Sequence, residues 1–206
     1  AFLKNNFMKF KWLLFDADNT LLDFNKASKE SLWAAFSAFD LHCDEDIYQL
    51  YQGINHELWH AFEQGEISAV FLRTERFRQL LEALKIKDIT PALFSQTYMN
   101  SLVEVSEIYA GVEGLLQDLK GKYQLSIITN GLKEAQKPRL NKLQLTHYFE
   151  SIVVSDEIGI AKPDLAYFEY VYQSIDNPPT KSDILVIGDS LKSDILGGVQ
   201  FGVKTC

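Results

Sequence analysis

The chain has 206 residues, 47% of them apolar, and a formal net charge of -8, which suits one domain of ordinary size or one domain plus an insertion. An acidic balance without Lys/Arg clusters disfavours nucleic acid and anionic membrane surfaces as partners, and no apolar run approaches the roughly 20 residues of a membrane span. Lys4, Lys9 and Lys11 break up the N-terminal apolar residues, so no signal peptide is expected and the protein reads as cytoplasmic, with Cys43 and Cys206 as free thiols.

Residues 1 to 7 precede Met8 and read as an upstream extension or an appended remnant. The first element is the apolar run Trp12 to Phe15, typical of a parallel strand buried on both faces, and it delivers Asp16 and Asp18 in the string DADNT. In open α/β sheets ligands bind beyond the carboxyl ends of the strands. Neighbouring carboxylates repel, so a cation, a shared proton or a reaction has to justify the pair; the plain alternative is a turn that carries two acids.

For about 80 residues the pattern is then helical. Lys26 to Phe39 and Asp44 to Phe62 carry apolar residues at helical spacing, and Gly65 ends the second of them. Ser68 is an N-cap for Ala69 to Leu84, and Thr90 followed by Pro91 opens a fourth helix through Leu102. Trp33, Phe36, Trp59 and Phe62 read as packing residues, while Asn55, His56, Glu57 and Trp59 are candidates for contact with a substrate. His42, His60 and His147 follow no metal-ligand spacing.

From Gly111 helix and strand alternate: helix Leu115 to Lys120, strand Leu125 to Ile128, helix Lys133 to Leu143, strand Ser151 to Val154, a helix from Pro163 to Ser174, strand Ile184 to Ile187, and helix Ser193 to Gln200. That order predicts a parallel α/β sheet. Residues 1–22 and 108–206 are expected to form a core and 24–106 an inserted cap. Residues 202–206 begin a further strand and stop, so the natural C-terminal end is expected to lie beyond.

Three further polar groups follow apolar strands: Thr129-Asn130-Gly131, Lys162-Pro163, and Gly188-Asp189-Ser190 with Asp194. All would share one sheet edge with the aspartate pair. Each has a task at a phosphate monoester. Carboxylates repel such a substrate by about 4 kcal/mol per close charge pair at an effective dielectric near 20, so cations must intervene. Asp16 and Asp189 suit Mg²⁺, Lys162 offers a positive charge, and the Thr129 hydroxyl and Asn130 amide offer hydrogen bonds.

The strings DADNT, TNG, AKPD and GDSLKSD, in that order, resemble the four motifs of the haloacid dehalogenase superfamily of phosphohydrolases, over essentially the whole chain. The resemblance implies a Rossmann-like core, a parallel sheet flanked by helices, with an all-helical cap. It implies Asp16 as the nucleophile and Asp18 as the acid/base, which has to start protonated, as burial among negative charges would favour. Thr129 and Lys162 would hold the phosphoryl group. Asp16, the backbone carbonyl of Asp18, and Asp189 would bind Mg²⁺ (or Mn²⁺), with Asp194 nearby, directly or through water.

Asn19 stands where many members have glycine, and asparagine tolerates the left-handed backbone that such a turn needs. DADNTLLDF, Ile54 to Trp59, ITNG, IAKPD and SDILGG narrow the resemblance to the pyrimidine 5'-nucleotidases, implying UMP, dUMP, dTMP and relatives as substrates. A phosphosugar phosphatase or phosphomutase on the same core is the near alternative, because the core motifs do not separate them. A dehalogenase would leave Asp18 and Asp189 without purpose, and a non-enzymatic phospho-accepting domain would lack both the second acid and the cap. Oligomeric state is not readable.

Overall fold

A computed structural model describes residues 10–206; the expectations for residues 1 to 7, Lys4, Met8 and Lys9 lie outside the described residues. Five parallel strands form one sheet in the order β3-β2-β1-β4-β5. They are β1 (Trp12–Phe15), β2 (Gln124–Thr129), β3 (Ser151–Val154), β4 (Ile184–Ile187) and β5 (Lys204–Thr205). Strand β1 is central, with Phe15 level with Ile127 on one side and Ile187 on the other. Its apolar run is therefore buried on both faces, with Leu13, Leu14 and Phe15 all sealed from solvent. The sheet places the ends of β1, β2, β3 and β4 along one edge.

Between β1 and β2 the chain builds α1 (Phe24–Ser37), α2 (Glu45–Glu63), α3 (Ala69–Ala83) and α4 (Pro91–Val105). Their starts are fixed by local chemistry: the side chains of Asp23, Asp44, Ser68 and Thr90 each accept a hydrogen bond from the backbone N–H three residues on. Pro91 occupies the first turn of α4, where its missing N–H costs nothing. Phe36, Tyr51, Phe77, Phe94 and Tyr98 fill the centre of this bundle, and Leu132 and Ala135 from beyond β2 join the same cluster. Trp33, expected to pack, is instead 37% exposed, with the Lys29 ammonium over its ring. Phe36 and Phe62 are buried as expected. The chain segments entering and leaving the bundle meet, with Leu22 bridged to Ile108 and the Asp23 N–H bonded to the Glu107 carbonyl.

The remaining helices are α5 (Val112–Leu119), α6 (Lys133–Lys142), α7 (Ser155–Ile158), α8 (Leu165–Gln173) and α9 (Gly197–Phe201). Helix α8 begins at Leu165 rather than at Pro163, because Asp164 caps it by accepting from the Ala166 N–H. The helix expected from Ser193 divides into a π-helical turn, Leu191–Leu196, followed by α9. Wide turns of this kind gather at functional sites. Cys43 and Cys206 are free thiols. Among the described residues no helix is long and apolar enough to cross a membrane.

Candidate active site

The turn after β1 holds its shape through Asn19, whose backbone is left-handed (φ 60°) and whose side chain accepts from the Asn25 N–H at 3.2 Å. Asparagine thus does the work expected of it in place of glycine. The Asp16 N–H donates to the Ile187 carbonyl at 2.8 Å, tying the start of this turn to β4. Asp16 is buried, and among the described residues its Oδ2 has only a long 3.5 Å hydrogen bond from the Thr20 hydroxyl.

Lys162 reaches the same place from the loop after β3. Its ammonium, 1% exposed, donates to Asp16 Oδ1 at 2.7 Å, to Asp194 Oδ1 at 2.6 Å and to the Ile128 carbonyl at 2.8 Å. Burial pushes the Asp16 carboxyl up to about 7, against the pull of Lys162. Lys162 itself, which burial alone would push down, is raised by the Asp16 and Asp194 charges and so keeps its proton. The one ammonium lies between the two buried carboxylates, and its pull on Asp16 is smaller than the effect of burial.

Asp194 comes from the π-helical turn, and its Oδ2 accepts from the Ser190 N–H at 3.1 Å. Gly188 makes that approach possible: a Cβ there would meet the Asp194 carboxyl at 2.3 Å. Asp189, more exposed, is raised by partial burial and by the Asp194 charge. Carboxylate oxygens of Asp16, Asp189 and Asp194 lie within 4.8 Å of one another. Three acids against one ammonium leave a surplus of negative charge, and an all-oxygen donor set fits a hard divalent cation such as Mg²⁺. The Asp18 carboxylate is not part of this cluster.

Asp18 faces the other way. Its Oδ2 accepts from Gln136 Nε2 at 2.7 Å, and its Oδ1 lies 2.7 Å from Arg139 Nη1. The contact with Arg139 is one of charge and not of aligned hydrogen bonding, since among the described residues Asp18 Oδ1 has no hydrogen-bond partner. Burial among negative charges, the surroundings expected from the sequence, is thus replaced by a carboxylate that is 22% exposed beside a buried guanidinium. Gln136 also donates to Thr129 Oγ1 at 3.1 Å, so one amide spans the ends of β1 and β2.

Asn130 also has a different task from the one expected. Its Nδ2 donates to the Lys162 carbonyl at 2.8 Å and to Glu63 at 3.2 Å, and its Oδ1 accepts from the Lys162 N–H at 2.8 Å. The side chain brackets the lysine loop, and its polar atoms are spent there. Glu63 belongs to α2, so this contact also fastens the helical bundle to the sheet edge. Arg73 of α3 does the same through Glu134 and Asp156 at 3.0 and 3.2 Å.

Between bundle and sheet edge lies a cleft of about 680 Å³, open to solvent. Asp18, Asn130, Gln136 and Arg139 line it from the sheet side, and Asn55, Trp59, Glu63, Arg76 and Met99 from the bundle. Of the substrate-contact candidates Asn55 and Trp59 line this cleft, whereas Glu57 is exposed and does not. Sequence reasoning missed Gln136, Arg139 and Arg76. The first two are three residues apart on one face of α6, with nothing in their local sequence to mark burial. Arg76 did leave a signal, for it stands midway between Leu72 and Leu80 on the buried face of α3, where the period calls for an apolar residue.

Known proteins resemble the chain over nearly its whole length. The model of the haloacid dehalogenase-like hydrolases matches residues 13–206. The chain is 34% identical to the pyrimidine 5'-nucleotidase YjjG of Escherichia coli over 97% of its own length and 86% of that protein. It is 32% identical to the pyrimidine 5'-nucleotidase PynA of Streptococcus pneumoniae, over 96% and 83%. A crystal structure of the putative HAD-hydrolase YfnB from Bacillus subtilis, bound to magnesium, superposes with a TM-score of 0.90 at 35% identity, covering 96% of this chain and 87% of that one.

Proposed function

The chain belongs to the haloacid dehalogenase-like hydrolases, and from that premise we propose that it is a Mg²⁺-dependent phosphatase of pyrimidine nucleoside 5'-monophosphates such as UMP, dUMP and dTMP. That it hydrolyses phosphate monoesters follows from its family and relatives; the metal, the substrates and the residue roles are the proposal. The observation that carries it is the cluster of Asp16, Asp189 and Asp194, of which Asp16 and Asp194 also pair with one buried lysine. Two relatives that match nearly the whole chain are pyrimidine 5'-nucleotidases, which supports the choice of substrate.

In this reading Asp16 Oδ2, the less engaged oxygen, attacks phosphorus and the bond from phosphorus to the leaving oxygen breaks. Asp18 passes to the leaving oxygen the proton it took from the hydrolytic water of the preceding turnover, then takes another from the water that cleaves the aspartyl-phosphate and releases inorganic phosphate. Lys162 balances charge on the transferred group, and the Thr129 hydroxyl donates to it. Asn130 contributes by fixing the Lys162 loop. Asp16, Asp189 and Asp194, with the backbone carbonyl of Asp18, would hold Mg²⁺, which when bound offsets the repulsion between these acids and a phosphate. Residues 24–106 act as a cap that covers the substrate and residues 1–22 and 108–206 as the catalytic core.

A panel of nucleoside monophosphates and sugar phosphates, assayed with Mg²⁺ and with EDTA, tests the proposal. The expected result is phosphate release from UMP, dUMP and dTMP that EDTA abolishes. Preference for sugar phosphates would reject the substrate class, and turnover in EDTA would reject the metal.

A further inference from the structure

Arg76 is the most anomalous side chain in the cleft. It is 2% exposed, yet among the described residues it makes no ion pair. Its hydrogen bonds go to neutral acceptors: Nη1 to Asn55 Oδ1 at 3.1 Å and to the Tyr51 hydroxyl at 3.4 Å, and Nη2 to Met99 Sδ at 3.4 Å. Among the described residues its Nε has no hydrogen-bond partner. The faces of Phe77 and Tyr98 lie 4.7 and 5.3 Å from the guanidinium carbon, which offsets part of the cost of desolvation. A buried guanidinium is ordinarily paired with a carboxylate, and leaving one without is expensive.

A cation kept at such expense on the wall of a cleft has use for an acceptor that arrives with a ligand. The surrounding walls say what shape of group carries it. Trp59, Phe24, Met99, Leu102 and Leu132 are apolar or aromatic and suit a flat ring better than a polyhydroxy chain, which needs many polar partners. On the sheet side the same cleft is bounded by Asp18, the proposed proton donor to the leaving oxygen. The group that meets Arg76 therefore belongs to the leaving alcohol and not to the phosphate.

We propose that Arg76 is a specificity-determining residue that donates a hydrogen bond to a ring carbonyl oxygen of the uracil or thymine base, with Asn55 holding the guanidinium in place and Trp59 against the ring. This rests on the nucleotidase reading above and deepens it. A carbonyl suits this donor for a physical reason. A hydrogen bond to a charged group is roughly twice as strong as a neutral one, and a substrate without the acceptor leaves the buried donor unpaired.

The test compares UMP with ribose 5-phosphate, in which a hydroxyl at C1 stands in place of the base, using the wild-type protein, Arg76→Met and Arg76→Lys. In the wild type kcat/KM favours UMP. In Arg76→Met the ratio of kcat/KM for UMP over ribose 5-phosphate is expected to fall at least about tenfold, through KM, while the thermal midpoint does not drop, since an apolar side chain of similar length removes an unpaired buried charge. Arg76→Lys keeps the charge and loses the planar fork, and a smaller fall in the ratio is expected; this variant decides the matter should Arg76→Met not fold. An unchanged ratio in a folded variant overturns the role of Arg76 and leaves the nucleotidase reading standing. A wild-type protein that prefers ribose 5-phosphate overturns both.

Discussion

The Lys162 ammonium lies 2.7 Å from Asp16 Oδ1 with both side chains nearly sealed from water, 1% and 9% exposed. Among the described residues it is the one cation that touches both Asp16 and Asp194. Lys162→Met therefore strands two buried carboxylates, a change that costs about 3–5 kcal/mol when a buried pair loses one member. The denaturant midpoint of the variant should drop accordingly, and phosphatase activity with it. A variant as stable as the wild type would mean that the triad is solvated and that its geometry is not held by charge.

Asp16→Asn keeps the shape of the site and removes both the nucleophile and a carboxylate of the acidic cluster. Turnover of UMP should fall by at least about 10⁴-fold, measured as phosphate release under saturating Mg²⁺. Adding EDTA to the wild type should abolish activity and excess Mg²⁺ should restore it. Residual turnover in Asp16→Asn close to the wild-type rate would reject covalent catalysis by this residue.

Much of this centre was legible in the sequence because sheet geometry makes it so. Strands that read as unbroken apolar runs, Trp12 to Phe15 and Ile184 to Ile187, pair in register, and the polar residues that follow each must land on one edge. The caps at Ser68 and Thr90 were legible because a hydroxyl before an apolar period has a local job. What escaped was long-range. The partner of Asp18 lies 118 residues away on α6, and Asn130 spends its amide on a loop 32 residues on. Trp33 escaped for another reason: it satisfies a helical period but lies at the margin of the buried stripe, where a lysine covers it.

Gln136 ties Asp18 to Thr129, donating to both from one nitrogen. Gln136→Ala frees the Asp18 carboxylate to wander, and a general acid out of line loses part of the 10²–10⁴-fold such groups contribute. About a tenfold fall in kcat on UMP is expected, with KM little changed. An ester whose leaving group departs without a proton, such as p-nitrophenyl phosphate, should be hit less. Equal losses on both substrates would show that Gln136 acts on Thr129 or on the fold instead of on Asp18.

A methyl group at position 188 would sit 2.3 Å from the Asp194 carboxyl, closer than atoms can approach. Gly188→Ala must push Asp194 away, and with it one arm of the Lys162 triad. Overpacking of this kind costs about 1–3 kcal/mol. The expected phenotype is a lowered thermal midpoint together with a higher Mg²⁺ concentration for half-maximal activity. A variant with wild-type Mg²⁺ dependence would separate Asp194 from the metal.

Cys43 offers a test of the bundle by pH. Its thiol is pushed up to about 11, first by burial and then by the neighbouring Asp44 and Glu45 carboxylates. Only the thiolate is alkylated, so at pH 8 about one thiol in a thousand is reactive, where an unshifted thiol near 9 would present about one in ten. Labelling of Cys43 by iodoacetamide, followed by peptide mapping, should therefore be slow at pH 8 and rise about tenfold per pH unit until near 11. The sign for stability is the same: a raised thiol favours the folded state below about 9, and that advantage is lost as pH rises through about 11. Rapid labelling of Cys43 at pH 8 in the folded protein would mean that the start of α2, which Asp44 caps from the next position, opens far more readily than its hydrogen bond to the Ile47 N–H implies.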